Sequence, residues 1–94
     1  SMLIHVEEKG DVSVVNLLVE ELDATNAEDF EKEMSAVIPA KKKVILDLDR
    51  VRFVDSRGCG VILFLLKKMN EAGGSFCLCG ATKSVQTTFN LIRL

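Results

Sequence analysis

The chain has no tryptophan, no tyrosine, one histidine and one proline in 94 residues. Phenylalanine, at five copies, is its only aromatic residue. A core drawn from this sequence must therefore be mostly aliphatic, and the 48% hydrophobic content is enough to build one. The length allows one small domain and no more. No apolar run approaches the roughly 18 to 20 residues that a membrane-spanning helix needs. The run from Val61 to Leu66 is short and ends in Lys67-Lys68, so direct membrane insertion is not expected. No charged segment followed by a long apolar stretch opens the chain, so no secretory signal is visible. The net charge of −2 argues against a nucleic-acid surface, which normally needs a basic stripe. Three cysteines are an odd number. Without a secretory signal they read as free thiols in a reducing, cytoplasmic setting. Ser1 reads as an expression scar, which leaves residues 2–94 as the domain.

The remaining pattern alternates strands and helices. Leu3 to Glu7 and Val12 to Val19 read as a hairpin around the turn Lys9-Gly10-Asp11. Thr25 and Glu28 match a capping box. Ala27, Phe30, Met34, Val37 and Ile38 then recur at helical spacing, and Pro39 is expected to end that helix. Lys43 to Asp49 is nearly continuous in apolar residues, as suits a strand in the buried middle of a sheet covered by helices. A second helix is expected from about Arg57 to Ala72, closed by Gly73-Gly74. Phe76 to Cys79 is a further strand. Thr82 can cap a last helix carrying Val85, Phe89 and Ile92. The order β-β-α-β-α-β-α implies an α/β fold: a mixed central sheet with an N-terminal hairpin and helices packed on it.

One segment stands out: Val54-Asp55-Ser56-Arg57-Gly58-Cys59-Gly60. It places an acid and a hydroxyl at a strand-to-helix turn. The simplest role for Ser56 is as the helix N-cap, worth roughly 1 kcal/mol. Two glycines in the first turns of a helix cost up to about 1 kcal/mol each. That cost suggests close approach, by the sheet below or by a partner above. A hydrolase elbow would need Gly-x-Ser-x-Gly, but Val54 occupies the place of the first glycine. A base would have to be His5, on the first strand. No Gly-rich, Lys-containing phosphate loop, general-base pair or metal cluster emerges, and no cofactor is expected.

The same segment resembles the Asp-Ser-Ser-Gly-Leu-Gly signature of STAS domains, the family of bacterial anti-sigma factor antagonists. Glu21-Leu22-Asp23-Ala24 resembles that family's Gly-Glu-Leu-Asp segment. Val44 to Leu48 with Phe53-Val54-Asp55 is similar to its central strand. Ala72-Gly73-Gly74 and the spacing from Val85 to Phe89 fit its later segments. The resemblance implies a single STAS-like domain with no catalysis of its own. It implies that Ser56 is a phosphoacceptor, modified by an anti-sigma factor with serine kinase activity and reset by a serine phosphatase. The unmodified form would bind the kinase and free a sigma factor. Asp23, Asp55, Arg57, Gly58 and Gly60 are then the expected partner-binding residues.

Three departures accompany the resemblance. Glu20 stands where the family has glycine, and Arg57 replaces its second serine. The chain also stops at Leu94, where members often extend further, which reads as a truncated or short member. An alternative is a STAS module that is never phosphorylated, serving as a scaffold in a stress-signalling complex or as a soluble accessory subunit of a transport system. A small hydrolase or redox enzyme using Ser56 or the cysteines is the third class.

The second helix is apolar on two faces. Cys59, Ile62, Leu63, Leu66 and Met69 are expected to face the core. Val61, Phe64 and Leu65 form a candidate exposed patch for a partner or a weak homodimer. Cys77 and Cys79 fall on one face of their strand and are expected to be buried as small hydrophobes rather than to bind metal.

Overall fold

The computed structural model describes residues 2–38 and 42–94. Its main sheet has four strands: β1 (Ile4–Lys9), β2 (Val12–Leu17), β4 (Lys43–Asp47) and β6 (Ser75–Cys79), in the order β1-β2-β4-β6. β1 and β2 form the expected antiparallel hairpin, with Ile4 opposite Leu17 and Lys9 opposite Val12. β2, β4 and β6 run parallel to one another, so the sheet is mixed. The intervening helices are α1 (Ala27–Val37), α2 (Ser56–Glu71) and α3 (Lys83–Leu91). Two strands of two residues each were not anticipated: β3 (Glu21–Leu22) and β5 (Phe53–Val54) pair in parallel as a small separate sheet. This pair carries the chain into α1 and α2, and so positions the Asp55-Ser56 turn.

Alternation along each strand decides what is buried. Val15 and Leu17 of β2 and Val44 and Leu46 of β4 meet Phe30 and Met34 of α1 and Ile62, Leu65 and Met69 of α2 in one aliphatic core. Only this face of the sheet is packed by helices among the described residues. The opposite face carries the row His5, Asn16, Asp47 and Cys79 across the four strands. The central strand is therefore covered on one side, not two, and Ile45 and Asp47 are only half-buried. Cys77 and Cys79 do share a face, but it is the open one, and both are exposed. Their strand lies at the sheet edge, where no helix covers that side. Cys59 is buried, as expected.

Helix ends follow local hydrogen-bonding chemistry. α1 is preceded by Asn26, not Thr25, and no side chain caps it. The Thr25 hydroxyl donates instead to the Asp23 carboxylate, so the expected capping box does not form. Ile38 is extended at the end of α1, as a residue before proline should be; Pro39 itself lies outside the described residues. α2 closes where Gly73 takes a positive φ of 79°, a conformation glycine adopts without strain. Thr82 caps α3, its hydroxyl accepting from the Val85 N–H at 3.2 Å. Val85 and Phe89 face the core, whereas Ile92 follows the helix as its C-cap and is exposed.

Candidate functional site

The expected turn forms at the junction of β5 and α2, with one shift of role. Asp55 is the N-cap, in extended conformation, and Ser56 is the first helical residue. Aspartate caps as well as serine does, and here the carboxylate reaches the Gly58 N–H at 2.8 Å. Its other oxygen accepts from the Ala24 N–H at 3.0 Å. Asp55 thus ties the head of α2 to the loop between β3 and α1, 31 residues away in sequence. Its backbone joins the same neighbourhood, because the Asp55 N–H donates to the Leu22 carbonyl at 3.0 Å. Ser56 and Arg57 are exposed. Among the described residues, the Ser56 hydroxyl has no hydrogen-bond partner and Arg57 makes no ion pair.

The loop on the other side of this link is tightly turned. Asp23 accepts from the Thr25 N–H at 2.9 Å and from the Thr25 hydroxyl through the same carboxylate oxygen. The Asp23 N–H donates to the Asn26 side-chain oxygen at 3.0 Å, and the Asn26 amide donates to the Glu21 carbonyl at 2.8 Å. The Thr25 hydroxyl, reinforced by the Thr25 N–H, holds the Asp23 carboxyl below the usual aspartate range. Asp23 is therefore a fixed anion on the loop that Asp55 latches to α2. The Ala24–Asp55 bond brings the loop that carries Asp23 next to the head of α2, where Ser56 and Arg57 lie.

The two glycines of the turn have different surroundings. A Cβ on Gly58 would lie 2.8 Å from both the Leu22 carbonyl oxygen and a Val54 methyl. Gly58 is buried, so it serves contact with β3 and β5 and offers no side for a partner. A Cβ on Gly60 would meet nothing within 4 Å. Gly60 is exposed one turn beyond Ser56, and the fold does not require a glycine there.

The apolar surface on α2 also differs from expectation. Leu65 is fully buried and Leu63 is 44% exposed. Around the helix, Leu65 lies about 60° from Ile62, Leu63 about 100° and Phe64 about 200°, at 100° per residue. Core contact extends to Leu65 and stops short of Leu63. Phe64 is 46% exposed, with the Lys68 ammonium 5.8 Å from its ring centre. Val61 is half-buried. The exposed strip is therefore Gly60, Leu63 and Phe64. Phe53 on β5, just before the turn, is exposed as well. Its position in a two-residue strand gives no periodicity from which exposure could be read.

Little else in the structure points to chemistry. Burial, with Asp55 nearby, pushes the Cys59 thiol above its ordinary range. Among the described residues, no group of three His, Cys, Asp or Glu side chains could hold a metal ion, and no helix is long and apolar enough to cross a membrane. His5 lies with Asn16, Leu18, Asp49 and Arg50 around a shallow depression that neither Asp55 nor Ser56 lines.

Comparison with known proteins agrees with this fold. The STAS domain pattern matches residues 4–94. An anti-sigma F factor antagonist of Paenibacillus polymyxa is 28% identical over 97% of this chain and 79% of its own length. The Bordetella bronchiseptica protein BtrV, provisionally named an anti-sigma factor antagonist, is 28% identical over 89% of this chain and 73% of its own. The anti-sigma factor antagonist SpoIIAA, solved in its unphosphorylated form, superimposes with a TM-score of 0.79. That match has 23% identity and covers 97% of this chain and 81% of SpoIIAA. The phosphorylated form of SpoIIAA from Bacillus gives 0.72 at 21% identity, covering 95% and 82%. At those identities the two structures establish a common fold.

Proposed function

The chain belongs to the STAS domain family, and from that premise we propose that it is a phosphorylation-switched anti-sigma factor antagonist with Ser56 as its phosphoacceptor. In this reading the unmodified domain binds an anti-sigma factor that is also a serine kinase, and a sigma factor is released. Phosphate on Ser56 blocks that binding, and a serine phosphatase restores it. The domain is a substrate and a docking module, and it performs no catalysis of its own.

One observation carries the reading: the Ser56 hydroxyl is exposed and unengaged at the first position of α2, immediately after the Asp55 cap. Phosphorylation adds about −1.5 to −2 charge at pH 7. At the start of a helix the dipole and the unpaired N–H groups favour that charge, so the fold tolerates the modified state. The switch acts by changing the sign and shape of a docking surface made of Asp23, Asp55, Arg57 and Gly60. Gly58 supports that surface from below. Names given to relatives agree with the reading, as does a phosphorylated protein of the same fold. Arg57 distinguishes this chain: its cation stands beside the phosphate and softens the gain of negative charge.

Incubation with the cognate kinase and ATP, followed by mass spectrometry, tests the assignment. The wild type is expected to gain one phosphate and Ser56→Ala none. No gain on the wild type would point instead to an unphosphorylated STAS module acting as a scaffold or accessory subunit. An equal gain on Ser56→Ala would reject Ser56 as the acceptor.

A further inference from the structure

We propose that the outer edge of β6 is a self-pairing surface: two copies of the chain join β6 to β6, antiparallel, about a two-fold axis at Cys77. The pairing sets the two Cys77 thiols where a small-molecule disulfide can oxidise them to a bond between copies.

Hydrogen-bond direction fixes which backbone groups face outward. The Ser75 N–H donates to the Lys42 carbonyl at 3.2 Å, and the Leu48 N–H to the Cys79 carbonyl at 2.9 Å. In a parallel ladder alternate residues address the same neighbour, so Ser75, Cys77 and Cys79 bond to the β4 side. The N–H and C=O of Phe76 and Leu78 point the other way, where no strand lies among the described residues. An open edge of this kind invites another strand, and proteins commonly guard it with charge or proline. β1, the opposite edge, carries Glu7, Glu8 and Lys9. β6, Ser-Phe-Cys-Leu-Cys, carries neither charge nor proline, and its register with β4 is unbroken.

A second β6 fits this edge in one register above others. Centred on Cys77, it sets Phe76 opposite Leu78 of the other copy, and their outward groups exchange hydrogen bonds in both directions. All 5 residues of each strand are then paired, no charge meets a like charge, and Gly74 lies opposite Gly80 where the chains diverge. Moving the axis to Leu78 would need Gly80 to continue the strand, which its φ of 70° prevents. Moving it to Phe76 would need the Gly74 N–H, which already donates to the Met69 carbonyl at 2.9 Å.

At the axis the two Cys77 residues form a non-hydrogen-bonded pair, with Cα atoms about 4.5 Å apart. That falls within the roughly 4.4–6.8 Å of disulfides. Within one chain, Cys77 and Cys79 stand side by side about 6.6 Å apart, beyond the roughly 3.5–4.5 Å between Cβ atoms that a disulfide spans. Desolvation, with Asp47 and Asp49 nearby, also holds the Cys79 thiol above its ordinary range, which lowers its share of reactive thiolate. The strand's 5 residues are far fewer than the roughly 20–30 a side of a stable interface, so the pair is transient until linked. One Cys77 thiolate attacks the small-molecule disulfide and releases a thiol; the second Cys77 displaces the other. Two protein thiols become one disulfide, and the oxidant is reduced to two thiols.

Oxidised glutathione added to the full 94-residue chain tests the pairing, read by non-reducing electrophoresis and mass spectrometry of the linked peptides. The wild type should give a dimer linked Cys77 to Cys77. Cys77→Ser should cross-link at least about tenfold more slowly, and Cys79→Ser within about twofold of the wild type. Adding Ser75→Cys to Cys77→Ser should restore the dimer, now linked from position 75 to Cys79, the pair that the register sets opposite. All three positions are exposed, and circular dichroism should show the fold retained in each variant. Links spread evenly over Cys77–Cys77, Cys77–Cys79 and Cys79–Cys79, glutathione adducts on monomer alone, or no rescue from position 75 overturns the pairing.

Discussion

Gly58 and Gly60 are two residues apart in the same helix, yet alanine at each should change stability in opposite directions. At Gly60 a methyl group enters open space. The substitution then gains only what alanine offers over glycine in a helix, about 1 kcal/mol. At Gly58 the same gain is opposed by three contacts under 3.0 Å: the Leu22 carbonyl oxygen, a Val54 methyl and the Leu22 Cγ. Leu22 is fully buried and Val54 nearly so, and a backbone oxygen cannot rotate away. Overpacking of this kind costs about 1–3 kcal/mol. With backbone atoms involved the upper part of that range applies, for a net loss of about 1–2 kcal/mol. For a domain of this size each kcal/mol moves the melting temperature by about 4–8 °C. Gly58→Ala should therefore melt roughly 4–16 °C below the wild type, and Gly60→Ala up to about 8 °C above it. The chain has no tryptophan or tyrosine, so far-UV circular dichroism during thermal and urea unfolding is the suitable probe. Wild-type stability in Gly58→Ala, or a loss in Gly60→Ala, would refute the assignment of the two glycines. Should Gly60→Ala raise stability and yet lose partner binding, the docking face includes Gly60.

Leu65→Ala should cost about 2–5 kcal/mol in urea unfolding, as for other fully buried leucines, while Phe64→Ala should stay within about 0.5 kcal/mol. Native protein should expose two thiols to a thiol reagent, Cys77 and Cys79, with the third, Cys59, reacting only on unfolding. The Asp23 carboxyl is held low by Thr25, so its contribution to stability is present above the unfolded aspartate pKa, about 3.9. It is lost as pH falls through the lower folded value. Thr25→Ala should raise the Asp23 pKa in an NMR titration and remove that share of the acid-induced loss of stability.

Much of the fold can be read from local sequence pattern. Strand alternation, the spacing Ala27–Phe30–Met34 and the Thr82 cap each depend on a few adjacent residues, and the structure follows them. What local pattern misses depends on contacts between distant segments. β3 and β5 are two residues each, too short for any periodicity, and exist because they pair with each other. Cys77 and Cys79 read as small buried hydrophobes, yet their strand is at a sheet edge with an open face. Leu65 and Leu63 exchange roles because an all-apolar stretch from Val61 to Leu66 does not say which direction faces the sheet. The Ala24 N–H leaves no mark on the sequence, since any residue except proline presents one at that point.

The exchange of roles between Asp55 and Ser56 matters most for the proposed switch. A serine serving as N-cap holds its oxygen against a backbone N–H, and modifying that oxygen would disturb a bond worth roughly 1 kcal/mol to the helix. Here Asp55 does the capping, and the Ser56 oxygen is not committed to holding the helix. Phosphate can then be added and removed without unmaking the cap. Asp55 also accepts from the loop that carries Asp23. A Ser56→Asp variant should accordingly melt near the wild type while losing the cognate kinase as a partner. A large drop in its melting temperature would mean that Ser56 supports the helix after all, and would count against a switch that operates at the surface alone.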